Sequence, residues 1–561
     1  MLRAMVWLLC LCNGYAVALP PMAAWLADPD GIDSHIQAPL SYQQLLDNRA
    51  KPGKTTSQGM MSLHQAKPAR QLLHKGQPEK NARQLPAMQA RWYLTSQGQA
   101  LSLNASIQIP NQGRWDYVIG NGRHWPVPDT DDIYLVAPLH LIEKNQNCVH
   151  NGVLTLRLPE SGGTGRYFYQ ISSETCAYYQ ADLWGSGKLD WQPMLQPDAD
   201  DAQNAFQHWQ QTAPLSPQQF ARLFPDADID TLMLKDKVTD ISMLGWVHQG
   251  LHVQTHCPTR AGNYPFCRQL LLPSYSTAKS FIAGNGLMYL NALHPGLKDA
   301  PISQFIPQCS AQSWQEVTLQ DLLNMRSGHF LATGYGEDEG APHSARFFEA
   351  ITHKDKITYA CGQFPRQAQP GEQFVYHSSD TYLLGAALQT FVKQQYGQEH
   401  ELIRDVLFAG LYQSLSLSEV ARHHRHSQGQ PAMPFFGYGS LLYVDDLLAI
   451  ARFTQQQQYA SRPLLDPVML AQALPSQQGR GLATGFDKLA YSQGYWALDV
   501  SAELGCQTPT WLAFMSGYGG ITVVLLPDNR LFYYFSDGQV FKWLSAIEAL
   551  HSLSSICQQD V

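Results

Sequence analysis

Ser276 and Lys279 stand three residues apart in LLLPSYSTAKSFIAG, residues 270–284, where an apolar run opens into a helical pattern. One helical turn separates the two, so both side chains point the same way. A serine in the first turn of a helix has free backbone N–H groups beside it, and these suit a developing oxyanion. A lysine held against apolar neighbours loses solvation, and its pKa falls toward the range in which it takes a proton. The pair together makes an activated nucleophile. S-x-x-K arises by chance about once or twice in a chain this long, and a serine at a helix start is most often an N-cap. The motif therefore gains its weight from partner residues further along the chain.

Three later segments supply those partners. VTLQDLLNMRSGH, residues 317–329, has Thr318 and Asp321 at capping-box spacing, a helical face of Leu322, Leu323 and Met325, and Gly328 where the helix should stop. PGEQFVYHSSDTYLLGAAL, residues 370–388, presents Tyr376 and Ser378 just before a helix holding Leu383, Leu384 and Leu388. Taken alone, Tyr376 reads as a core tyrosine and Ser378 as a cap. FMSGYGGITVVLLPDNRLFYYFSDG, residues 514–538, reads as two long strands joined at Pro527-Asp528-Asn529. A final amphipathic helix, FKWLSAIEALHSL, is expected to lie on that sheet.

The chain that must position these residues has 561 of them, enough for two or three domains. It is 44% hydrophobic and only 15% charged, with a net charge of −8. That balance excludes a nucleic-acid partner and gives no basic face for anionic lipid. Residues 1–18 read as a signal peptide: Arg3, then the apolar MVWLLCLC, then Ala16-Val17-Ala18 before the cut. No later apolar run is long enough to span a bilayer once that segment is removed. Export, to the periplasm or outside the cell, is the expected localisation. Eight cysteines remain after Cys10 and Cys12 are removed, an even number that suits disulfides in an exported chain. Eight allow 105 pairings; the simplest joins neighbours, 148–176, 257–267, 309–361 and 506–557. No C-x-x-C spacing suggests zinc or a redox dithiol.

Residues 19–88 are rich in Lys, Gln, Pro and Ser and read as a flexible low-complexity segment. Residues 89–200 carry short alternating runs such as ALSLNASIQI, DIYLVAPLHLI and RYFYQIS, and read as a β-rich module. Its aromatic residues suit either a core or a surface for a cell-wall polymer. DADDAQ, near 198–203, reads as a second linker. Residues 201–561 alternate helical and strand patterns and hold all the chemistry. His423, His424, Arg425 and His426 sit in a Gln-, Ser-, Gly- and Pro-rich stretch and read as a solvated loop face, not a metal site. Asp445-Asp446 reads as a helix start. H-E-x-x-H, G-x-S-x-G and the P-loop pattern are all absent, which weighs against zinc protease, α/β-hydrolase and nucleotide-binding readings.

Taken in order, SYSTAKSF, VTLQDLLNMRSG, PGEQFVYHSSDTYLLG, GYGSLLYVDDLLAIARF and SGYGGITVVLLPD resemble the serine β-lactamase and penicillin-binding protein superfamily. Within it they are most similar to the class C-like branch, which holds esterases, D-stereospecific peptidases and 6-aminohexanoate-dimer hydrolases. The resemblance covers roughly the last 350 residues. It implies an α+β fold: an antiparallel sheet flanked by helices, with an all-helical subdomain, here preceded by the small β-rich module. It implies Ser276 as the acylated serine, Lys279 and Tyr376 as the acid–base pair, and Ser378 as a hydroxyl holding Lys279 or the substrate amide. Gly517 and Tyr518 fall where the third motif brings an edge strand to the substrate, the Tyr518 N–H joining the Ser276 N–H in an oxyanion hole. The cation usual in that motif is missing from Met515-Ser516-Gly517, which puts recognition of a substrate carboxylate, and true β-lactamase activity, in doubt. The expected activity is hydrolysis of an ester or amide bond in a small molecule or short peptide, with no metal or organic cofactor. A non-hydrolytic penicillin-binding or cell-wall-peptide-binding protein is the alternative, and the oligomeric state stays open.

Overall fold

A computed structural model describes residues 39–46, 57–64, 67–77, 80–127, 129–194, 206–207, 209–475, 482–486 and 488–557. The stretches read as signal peptide (1–18) and second linker (198–203) lie outside these residues.

Alternating side chains build the N-terminal part as strands, and the strands close on themselves. In ring order they are Ser57–Leu63, Met88–Leu94, Gln99–Ser102, Gly122–Pro126, Asp132–Glu143, Val149–Pro159, Gly163–Thr175 and Gln180–Met194. The last pairs antiparallel with the first, Gln58 opposite Met194 and Ser62 opposite Asp190. The result is an eight-stranded antiparallel barrel, a closure that leaves no free edge in the ring. Trp92, Trp115, Leu135, Leu156, Tyr169 and Leu183 are buried in its core. Each such side chain stabilises the fold by about 1.5–3 kcal/mol relative to exposure. The low-complexity reading of 19–88 is corrected here. Ser57–Leu63 and Arg70–Lys75 are strands of this sheet, and Tyr42–Leu45 is a short helix with a Ser41–Gln44 capping box. These segments are too short to show a period. Their order comes from pairing with Gln180–Met194 and Met88–Leu94, which are distant in sequence.

The second sheet has seven antiparallel strands, in the order Leu251–Gln254, Ile241–His248, Arg530–Ser536, Ile521–Leu526, Trp511–Gly517, Tyr495–Asp499, Leu489–Ser492. Alternation sorts its two faces. Phe532 and Tyr534 pack with Trp246, Phe220, Ile547 and Leu550, under the helices Pro217–Leu223 and Leu544–Leu553. Leu531, Tyr533 and Phe535 face the other way, into a core shared with Phe281, Ile282 and Leu287 and with the helical part of the chain. The fold is therefore the expected α+β arrangement.

Three local expectations differ from the structure. The first of the two long strands expected in 514–538 is itself a hairpin, turning at Tyr518-Gly519-Gly520 between Trp511–Gly517 and Ile521–Leu526. Gly519 and Gly520 both have left-handed backbone (φ +95° and +104°), which a continuous strand cannot hold. The Thr318–Asp321 capping box is present, but its helix ends at Leu323, before Gly328. The His423–His426 stretch is not a solvated face: His424 and Arg425 are buried. His424 Nδ1 meets Ser440 Oγ at 2.8 Å, its Nε2 accepts from the Phe436 N–H at 3.0 Å, and Arg425 pairs with Asp116 of the barrel. Composition suggested exposure; long-range pairing overrode it.

Four disulfides join 148–176, 257–267, 309–361 and 506–557, the neighbour pairing. No helix among the described residues is long and apolar enough to cross a membrane.

Candidate active site

Ser276 sits on a tight turn wedged between both sheets. Leu272–Pro273 pairs with Leu441–Leu442 in a short two-stranded ladder, and the Ser274 N–H donates to Ser440 O at 2.9 Å. The chain then winds into a single 3-10 turn, Tyr275–Thr277. Tyr275, just before the serine, has φ +40°, a conformation that is uncommon for a bulky residue and persists only when the surroundings impose it. Lys279 opens a wide π-type turn, Lys279–Gly284, continued by the α-helix Asn285–Leu293. All six residues of that wide turn are buried, Lys279 and Ser280 among them. Wide turns of this kind often occur at functional positions.

Lys279 is 1% exposed. Its Nζ lies 2.9 Å from Ser276 Oγ, 2.8 Å from Ser378 Oγ and 3.3 Å from the Gly437 carbonyl. Burial lowers its pKa to about 8, against the opposing pull of the Glu339 carboxylate. Ser276 is half-buried.

Tyr376, also half-buried, sets its ring over the ammonium, the ring centre 5.0 Å from Lys279 Nζ. Burial, with Tyr491 and Glu339 nearby, holds the phenol well above its usual pKa. It therefore stays protonated at neutral pH, equipped to give a proton. Ser378 starts the helix Ser378–Tyr396 and is buried. Its hydroxyl accepts from Lys279 and donates to Glu339, while its N–H donates to the other Glu339 oxygen at 3.0 Å. Glu339 comes from the short acidic helix Glu337–Gly340. The neighbouring Asp338 fixes that helix: its carboxylate meets His377 Nε2 at 3.0 Å and accepts the Leu331 and Ala332 N–H groups.

The end of Trp511–Gly517 closes the site; it is an interior strand of the second sheet, flanked by Tyr495–Asp499 and Ile521–Leu526, not the expected edge strand. At Gly517 a Cβ would stand 3.1 Å from Ser274 O and 3.3 Å from Tyr275 Cβ, so the strand backbone passes tightly beside the turn that carries Ser276. The Tyr518 ring projects outward, 49% exposed, with its centre 6.0 Å from that of Tyr275. Met515, at the place of the missing cation, is buried in the core.

The geometry thus gathers Ser276, Lys279, Tyr376 and Ser378 around one ammonium group and sets Gly517–Tyr518 alongside. Two contributors escaped the sequence reading. Glu339 lies in YGEDEG, an acidic run with the look of a solvated face. Gly437 begins the GYGSLLYVDDLLAIARF segment but carries no side chain to mark it. A Cβ there would stand 2.2 Å from Thr381 Oγ1 and 3.5 Å from Lys279 Nζ. The close approach, not any pattern of residues, is what requires glycine. Among the described residues, one group has metal-ligand spacing: Cys148, His150 and Cys176. Its two cysteines are joined in a disulfide and offer no thiolate.

No curated protein matches this chain. Solved structures similar to it include a protein designated a 6-aminohexanoate-dimer hydrolase, from Bacillus anthracis, at 16% identity and TM-score 0.42, covering 58% of this chain and 82% of that one. Another is a D-stereospecific amidohydrolase from a Streptomyces species, at 16% identity and TM-score 0.40, covering 57% of this chain and 97% of its own. The family model described as Beta-lactamase matches residues 241–536, from the first strand of the second sheet to its last and more than half of the chain. The protein belongs to the Beta-lactamase family.

Proposed function

We propose that the protein is an exported serine hydrolase that cleaves an ester or amide bond through an acyl-enzyme on Ser276. The observation that carries this reading is the 2.9 Å contact between Ser276 Oγ and a buried lysine whose pKa is brought down to about 8. Near neutral pH a fraction of Lys279 is unprotonated and takes the Ser276 proton as Oγ attacks the carbonyl carbon. The oxyanion forms toward the N–H groups of Ser276 and Tyr518. Tyr376, which stays a neutral phenol, passes its proton to the leaving oxygen or nitrogen and is reprotonated by the Lys279 ammonium. A water then attacks the acyl carbonyl and gives a proton to the same pair, and Ser276 leaves with its proton restored. Ser378 and Glu339 hold the ammonium in place between the two proton transfers.

A buried methionine replaces the cation that would grip a substrate carboxylate, so the reading favours simple esters and amides over β-lactams. Four disulfides agree with an oxidising compartment. The test compares p-nitrophenyl butyrate with nitrocefin on the purified chain. Ester turnover should exceed β-lactam turnover, and Ser276→Ala should retain less than about one thousandth of the ester rate. An unchanged rate in that variant refutes the assignment. A single stoichiometric burst without turnover would favour the non-hydrolytic binder.

A further inference from the structure

We propose that the barrel is a working part of the catalytic site, through Asn147, a positioning residue on the turn between the strands Asp132–Glu143 and Val149–Pro159. The inference rests on the serine-hydrolase reading and extends it.

Asn147 is 3% exposed. Its carboxamide oxygen accepts three hydrogen bonds from the second domain: from the Tyr275 N–H at 2.7 Å, the Gly439 N–H at 3.0 Å and the Ser274 hydroxyl at 3.1 Å. Its amide nitrogen donates to Ser440 O at 3.3 Å. One side chain therefore pins two segments that both end at the reacting groups. The first, 274–275, carries Ser276 on its next residue. The second, 439–440, comes just after Gly437, whose carbonyl receives Lys279 Nζ.

Tyr275 needs such a clamp. Its backbone lies in a region costing about 1–3 kcal/mol for a residue with a side chain. The turn that holds it takes its peptide N–H through Asn147 and meets its hydroxyl through Cys148, whose Sγ is 3.3 Å away. The turn is itself fixed by the Cys148–Cys176 disulfide and by Arg425, which donates to Glu143 O and pairs with Asp116. The clamp therefore transmits a rigid reference from the barrel wall to the nucleophile. Released from it, Tyr275 relaxes toward ordinary backbone, and Ser276 Oγ and Lys279 Nζ lose their register. A misplacement of about 1 Å between reacting groups lowers rates by about 100-fold.

The test uses the full chain and two readouts: the rate at which a fluorophosphonate labels Ser276, and kcat and KM for p-nitrophenyl butyrate. Asn147→Ala should slow labelling and lower kcat by about 10–100-fold, with KM within about threefold. Asn147→Asp offers an oxygen to the same three donors and should recover to within about fivefold of the wild type. Asn147→Gln keeps the amide but displaces it by one methylene, and should be slow in a protein that still melts cooperatively. Wild-type labelling rates in Asn147→Ala or in folded Asn147→Gln overturn the inference, and so does an Asn147→Asp variant as slow as Asn147→Ala. A wild-type chain that is not labelled at all overturns the hydrolase reading and the inference with it. A labelled wild type separates the two failures.

Discussion

Lys279 feels two opposed influences, and their balance sets the pH at which the site works. Burial disfavours its charge and brings the pKa to about 8, while the Glu339 carboxylate favours the charge. In the proposed mechanism the base is the unprotonated amine, so kcat/KM should rise with pH along an acid limb centred near 8. Removing the negative charge removes the influence that holds the proton on. In Glu339→Gln the lysine pKa falls, and the acid limb should move to lower pH. The variant also loses a charge-assisted bond to Ser378, so its plateau should drop by roughly tenfold. A pH–rate series on both proteins checks this, and an acid limb that stays in place or moves upward contradicts it. The division of labour proposed for Tyr376 and Lys279 has a physical reason: the Tyr376 phenol is pushed well above the usual range by burial and by nearby Tyr491 and Glu339. Tyrosinate is then the costlier base, and the proposal gives that role to the lysine.

The helix Ser378–Tyr396 carries a second buried acid that the chemistry does not use. Asp380, in its first turn, is 2% exposed, and burial raises its pKa from 3.8 to about 6, with His377 and a Ser327 hydrogen bond opposing. A carboxyl with a raised folded pKa stabilises the fold below its ordinary value, and that contribution is lost as pH rises through about 6. At pH 7.5 the ionised group therefore burdens the folded state. Asp380→Asn keeps the shape and removes the charge. It should stabilise the protein at pH 7.5 by on the order of 1–3 kcal/mol and give no gain at pH 4. Melting curves at the two pH values decide it; a gain of equal size at both contradicts the account. This helix also shows what local sequence reveals. Its start at Ser378 was legible because Tyr376-His377-Ser378 precedes an apolar helical run. The Thr318–Asp321 cap and the helix after Asp445-Asp446 were legible for the same reason. The hairpin at Gly519-Gly520 was not, because an apolar stretch on both sides hides a turn that only the backbone angles disclose.

At the scale of the molecule, the closed barrel and the open-sheet α+β unit meet along the segment that leads to Ser276. Asn121 of the barrel exchanges both backbone bonds with the Gln269 side chain at 2.9 Å, and Asn151 does the same for the Leu271 backbone at 3.2 Å. Arg260 holds Glu174 at 2.5 and 2.7 Å and Asp182 at 2.8 Å. The barrel is thus a wall against which residues 260–275 are set. The sequence showed strands in 89–200 by alternation, but neither the closure of the ring nor the contribution of Ser57–Leu63 to it. The closing pair, Gln58 opposite Met194, spans more than a hundred residues, and no local period encodes it. The same limit separates Ser276, Lys279, Tyr376 and Ser378, named from contiguous motifs, from Glu339, Gly437 and Asn147, which reach the site only through the fold. All of these residues serve one claimed event, the transfer of an acyl group to Ser276. Acid-quenched mixtures of the protein with p-nitrophenyl butyrate, digested and weighed by mass spectrometry, test that event directly. A butyryl adduct on the peptide carrying Ser276, formed within the first turnover and absent from Ser276→Ala, is the expected result. Ester hydrolysis that continues in Ser276→Ala, or an adduct found only on another residue, would contradict it.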